Sequence, residues 1–214
     1  MVTSYRSKLA HLFIFAIAMA FVEAAVVVYL RALYYPEGFS IILKQLPQLH
    51  LRIEAIRELA TIIMLLAVAG IAGKKGWERF GYFMILFGVW DIFYYVFLKL
   101  SLNWPASVTD WDVLFLIPVP WIGPVIAPIL VSLVLIVAGI SITRLYLREL
   151  RFRPVMGTKI LFLLGTAAIL FTFMRDSNSV LHGQMPEAYW YPLLFAGLAA
   201  YLVALWLSIR RVKH

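Results

Sequence analysis

Between Asp112 and Arg144 the chain carries no charged residue for 31 positions, and no other feature restricts its fold as much. As one helix this stretch would run about 46 Å, against a bilayer hydrocarbon core of roughly 30 Å. It is too long for a single straight span, and its first part is crowded with Pro118, Pro120, Pro124 and Pro128. Each proline removes a backbone donor and restricts the residue before it, so the helix proper is expected to start near Val125. The preceding segment, Trp111 to Gly123, is expected to be irregular or re-entrant. Non-helical backbone at membrane depth is tolerated only where protein or a water-filled cavity meets its polar groups, which makes this segment the floor or lip of a pocket.

Five other apolar runs are long enough to cross. The expected fold is all-α, a single transmembrane domain over 1–214 with spans near 9–30, 53–72, 77–98, 125–146, 155–174 and 189–209. A chain that is 64% hydrophobic and 14% charged leaves no soluble portion large enough for a separate domain. Residues 39–50, interrupted at Pro47, are too short to cross and are expected in the interface. Arg6 and Lys8 precede an apolar run containing Ala18-Met19-Ala20, which has the look of a cleaved signal. The run continues through Leu30, however, and is read as the first span. Ala16, Ala20 and Ala24 in that span, and Ala196, Ala200 and Ala204 in the sixth, form small-residue ridges suited to close helix packing.

Six spans put both termini on one side, and the basic residues indicate which. Arg6, Lys8, Lys74, Lys75, Arg79, Arg144, Arg148, Arg151, Arg153, Lys159, Arg210, Arg211 and Lys213 share it, 13 of the 19 lysines and arginines. Cytoplasmic termini in a plasma (inner) membrane follow from the positive-inside rule. The net charge of +8 is thereby explained by topology, and nucleic-acid binding is not expected. With no cysteine in the chain, disulfides, thiolate metal sites and cysteine nucleophiles are excluded.

The acids lie on the other side. Glu23 and Asp91 each fall 14 residues into an outward-running span, about 21 Å along it, and Glu58 lies about 8 Å below the outer end of the inward-running second span. The three share one layer. An ionisable group at that depth costs roughly 3 kcal/mol on insertion scales and normally faces the bundle interior with a partner. Glu54 and Glu58 are like charges at i,i+4 and call for a cation, an arginine or a proton between them. Arg31, Arg57, Lys99 and Arg175 lie near the same level, so interhelical ion pairs are the plain structural alternative to a ligand site.

Two Trp-Asp pairs flank the outer loop 99–111: Trp90-Asp91, with Tyr95 on the same helix face as Asp91, and Trp111-Asp112 before the prolines. The outer aromatics, Trp111 included, also fit an ordinary interfacial belt. The candidate ligand-binding set is Glu23, Glu58, Asp91, Trp90, Tyr95, Trp111, Asp112, Arg57 and Arg175. Histidines are sparse, and only His182 lies on the acidic side in polar company. No HExxH, Gly-x-Ser-x-Gly or P-loop motif is present, so no metal site, catalytic residue or cofactor is assigned.

Three classes of function remain. An outward-facing acidic and aromatic pocket would bind or translocate a cation, proton or small amphiphile. A structural or interaction subunit would use the charges only to lock its helices, with another membrane protein or a second copy as partner. A membrane enzyme would act on a lipid or polyisoprenoid head group, with Asp91 or Glu58 as general base and Arg57 or Arg175 holding an anionic group. In each case membrane lipid surrounds the chain.

Overall fold

The computed structural model describes residues 4–41 and 47–213. It is 74% helical, and six of its helices are long and apolar enough to cross a membrane. These are α1 (Tyr5–Tyr34), α2 (Gln48–Ala72), α3 (Gly76–Leu102), α4 (Ile126–Leu147), α5 (Met156–Met174) and α7 (Tyr191–Arg210). A short α6 (Ser177–Leu181) follows α5 after one turn, and Arg211–Lys213 form a final 3-10 turn. Most helices extend beyond the uncharged runs, because charged residues at their ends stay helical where side chains reach water or a partner. α2, for instance, starts five residues before Ile53 and takes in His50 and Arg52. Of the segment 39–50 expected in the interface, residues 42–46 lie outside the described residues and Gln48 to His50 belong to α2.

The segment read as irregular contains regular structure. Trp111–Phe115 (β1) and Trp121–Pro124 (β2) pair antiparallel, with Trp111 opposite Pro124, Asp112 opposite Gly123 and Val113 opposite Ile122. The register shifts between Val113 and Phe115, next to the tip that carries Pro118 and Pro120. Aromatic and β-branched residues favour the strands, and the donorless prolines fall in the connection or at a strand end. Two further bonds tie the hairpin to the start of α4, Val125 N–H to Asp110 O at 2.9 Å and Ile126 N–H to Val108 O at 2.8 Å. Pro128 lies in the first turn of α4, where its missing donor leaves no bond unmade.

α1 and α2 both pack on α3, α3 packs along α4, and α5 packs along α7. The first-helix ridge is buried against α3: Ala16, Ala20 and Ala24 are essentially inaccessible, among Leu65, Ile85 and Leu86. In α7 the ridge is used in part, with Ala204 buried and the Ala200 Cβ 3.2 Å from where a Cβ on Gly165 would sit. Ala196 is exposed, and the close approach is made by Gly197, whose backbone oxygen stands 2.9 Å from where a Cβ on Gly165 would sit. Glycine rather than alanine sets that seam because the backbones come closer than a methyl permits. The α3–α4 seam is tighter still, since a Cβ on Gly139 would lie 2.4 Å from Gly81 O and one on Gly88 2.6 Å from Ser132 O.

Gly139→Ala is expected to force α3 and α4 apart and to lower unfolding free energy by about 1–3 kcal/mol, the usual range for overpacking. Gly70→Ala, on an α2 position with nothing within 4 Å, is expected to be neutral or slightly stabilising. Thermal unfolding of the two variants in one detergent compares them directly.

Candidate functional site

Four stretches converge beside the hairpin. α2 supplies Glu54, Arg57, Glu58 and Thr61, at i, i+3, i+4 and i+7 along one stripe of the helix. α1 supplies Glu23 and Arg31, eight residues and so a little over two turns apart, on a common face. α3 brings Trp90, Asp91, Tyr94 and Tyr95, and β1 brings Asp112 to Phe115. Together they line a cavity of about 130 Å³, with Tyr34 and His50 also in its wall. The ring nitrogen Nδ1 of His50 and the hydroxyl of Tyr34 are hydrogen-bonded.

Arg57 holds two helices together. Its Nε donates to Glu54 at 2.9 Å, its Nη2 donates to the same carboxylate, and its Nη1 donates to Glu23 across the gap to α1. The other oxygen of Glu23 accepts from Thr61 Oγ1 at 3.1 Å. Arg31 is the second cation. It is buried, donates from Nη2 to Asp112 Oδ1 at 3.1 Å, and lies 3.8 Å from the ring centres of both Phe39 and Trp104. A guanidinium between two aromatic faces is attracted to both, by roughly 0.5–2 kcal/mol each depending on desolvation.

Two acids of the layer are held differently. Both oxygens of Glu58 accept the backbone N–H of Leu116, at 2.9 and 3.0 Å, so this carboxylate satisfies the end of β1. Asp91 accepts from Ser132 Oγ of α4 at 2.8 Å. Among the described residues neither has a lysine or arginine within ion-pair distance, although both are buried and both line the cavity. Among the described residues the indole Nε1 of Trp90 and Nη1 of Arg31 have no hydrogen-bond partner.

The candidate set therefore divides. Glu23, Arg57, Glu58, Trp90, Asp91, Tyr95 and Asp112 surround one cavity. Trp111 and Arg175 do not reach it. Trp111 packs edge-on against Tyr189, with ring centres 5.9 Å apart, because alternation along β1 turns it to the opposite face from Asp112. Arg175 lies past β2, paired with Asp176 at 3.4 Å and with Glu187, and 4.7 Å from the ring centre of Trp190. Arg31, Glu54, Tyr34, His50 and Tyr94 belong to the cavity wall without having been singled out for it. The helical spacing of Arg31 from Glu23 and of Glu54 from Arg57 was a signal for the first two. Nothing in the sequence singles out Ser132. His182 is exposed and bonded to Asn178 O, and among the described residues no three His, Asp or Glu side chains group as a metal site.

The six apolar helices make this a multi-pass helical membrane protein. Comparison with protein-family models, curated proteins and solved structures finds no match to the chain.

Asp112 lies outside the spanning helices and is almost inaccessible. Burial pushes its carboxyl up to about 6 from an ordinary 3.8, against the opposing pull of Arg31, the Val113 N–H and the Tyr95 hydroxyl. Between those two values the folded chain holds a proton that the unfolded chain releases. The contribution of Asp112 to stability is thus fully present below pH 3.8 and is lost as pH rises through about 6. The difference is on the order of 3 kcal/mol at full desolvation. Asp112→Asn, which cannot titrate, is expected to flatten the fall in stability between pH 4 and 7 when unfolding is followed across that window; an unchanged slope would exclude Asp112 as its source.

Proposed function

We propose that this chain lies in a plasma (inner) membrane with both termini cytoplasmic, and that its cavity faces outward and binds or passes a proton or a small cation. The orientation rests on the concentration of lysine and arginine in the loops on the side of the termini. The ligand reading rests on one observation: among the described residues Glu58 and Asp91 line a shared cavity with no lysine or arginine within ion-pair distance, while Glu23, Glu54 and Asp112 beside them are paired. An ionised carboxylate held away from water and from any cation is unfavourable, and a proton or a bound cation relieves it.

Size narrows the ligand. A cavity of about 130 Å³ has room for roughly four water molecules at about 30 Å³ each, whereas sites for drug-sized ligands run to about 300–1,000 Å³. That volume suits a proton relay or a small cation and argues against a bulky amphiphile or a lipid head group, and so against the enzyme reading. The rings of Trp90, Tyr94 and Tyr95 add π faces that attract a cation.

Because the chain has no cysteine, single cysteines placed at Ser107 and at Arg210 should react with a membrane-impermeant maleimide from opposite sides, Ser107 from outside. Ligand binding is read by titrating sodium, potassium and ammonium into purified protein while recording thermal stability and proton release. Saturable stabilisation by at least one cation, or a proton taken up and released near neutral pH, is expected for the wild type. Glu58→Gln and Asp91→Asn should each weaken it about tenfold or more, in line with bonds to charged groups worth about 1.5–3 kcal/mol. A wild type that behaves like a variant carrying both Glu58→Gln and Asp91→Asn at every pH and cation concentration sinks the reading.

A further inference from the structure

A second, larger cavity lies at the end of the bundle away from the hairpin, where the α3–α4 pair and the α5–α7 pair stand apart. Each pair is closed by glycines, Gly81 and Gly139 in one and Gly165 and Gly197 in the other, but between the pairs there is a groove of about 580 Å³. Phe80, Ala138, Ile142, Phe162 and Leu205 line it, with Lys159 among the wall residues on the first turn of α5.

Three properties of the groove identify its occupant. First, the hydroxyls in its wall are already satisfied: Thr158 donates to Val155 O at 2.9 Å, Ser208 donates to Ala204 O at 2.7 Å, and Tyr201 is bonded to Thr166 at 2.8 Å. A cavity without unmet polar groups does not hold water well and takes hydrocarbon instead. Second, its lining runs over Gly76–Met84 of α3 and Val134–Ile142 of α4, eight positions or about 12 Å in each, close to half of a hydrocarbon core of roughly 30 Å. It is one leaflet deep. Third, its polar end is basic, with Lys159 in the wall and exposed Arg148, Arg151 and Arg153 in the adjoining α4–α5 loop.

We propose that this groove is a binding site for an acidic phospholipid of the adjoining leaflet, with one acyl chain between the two helix pairs and the phosphate at Lys159. The lipid fills the space that the glycine seams leave open, beside the edge-on contact of Phe80 with Phe162. This site is independent of the acidic cavity, with which it shares no lining residue.

Native mass spectrometry of the protein from equimolar phosphatidylcholine and phosphatidylglycerol, after exchange into mild detergent, tests it. The wild type is expected to retain one phosphatidylglycerol beyond those stripped by detergent. Ala138→Trp and, from the facing wall, Leu205→Trp fill the groove and should abolish that retention while unfolding remains cooperative. Lys159→Gln, at an exposed position, should still bind lipid but lose about fivefold of its preference for phosphatidylglycerol over phosphatidylcholine. A wild type that retains no lipid, a folded tryptophan variant that retains it normally, or an unaltered headgroup preference in Lys159→Gln would each overturn the proposal. The lysine variant decides the matter even if both tryptophan variants fail to fold.

Discussion

The outer half of this bundle depends on the unfavourable placing of carboxylates where water is scarce, and on two arginines that offset most of it. Arg57 joins Glu23 of α1 to Glu54 of its own helix, and Arg31 joins α1 to Asp112 of the hairpin. α1 and α2 each pack on α3, and beside the cavity the link between them is polar. Removing either arginine would strand buried acids, which is more damaging than losing an apolar contact of the same size.

The hairpin extends the same logic to the backbone. The N–H and C=O groups that a two-stranded sheet leaves unpaired must be met by other protein groups or water, and here donors and acceptors come from both sides. Glu58 of α2 accepts the Leu116 N–H at the end of β1, and Ser177 at the start of α6 donates to Pro120 O near the start of β2. β2 also stacks Trp121 on Phe173 of α5 at 11° between ring planes. One short sheet therefore connects the α1–α4 group to the α5–α7 pair and serves as the wall of the acidic cavity. Glu58 has two duties in this arrangement, as an acceptor for the hairpin and as a charge-bearing wall of the cavity.

The two cavities are opposite in chemistry and in position. The acidic one is small, rich in ionisable groups and adjacent to the hairpin; the apolar one is larger, satisfied in its hydrogen bonds and at the other end of α3 and α4. α3 and α4 contribute to the walls or supports of both, and their seam is the closest backbone approach at any glycine.

Six spans, their approximate limits and the layer of acids could be read from the sequence, because hydropathy and helical rise depend only on residue order. That Glu54, Arg57, Glu58 and Thr61 share a stripe follows from the 3.6-residue turn alone. The prolines likewise implied that the stretch after Asp112 could not be one rod, since they remove donors wherever they stand. What the sequence could not supply is the direction in which each helix face points. The strand pairing of Trp111–Phe115 with Trp121–Pro124, the turning of Trp111 and Arg175 away from the cavity, and the bond from Ser132 to Asp91 all arise from contacts between distant segments. Rotation of a helix about its axis and the face of a strand are set by packing against neighbours, and those neighbours exist only once the chain has folded.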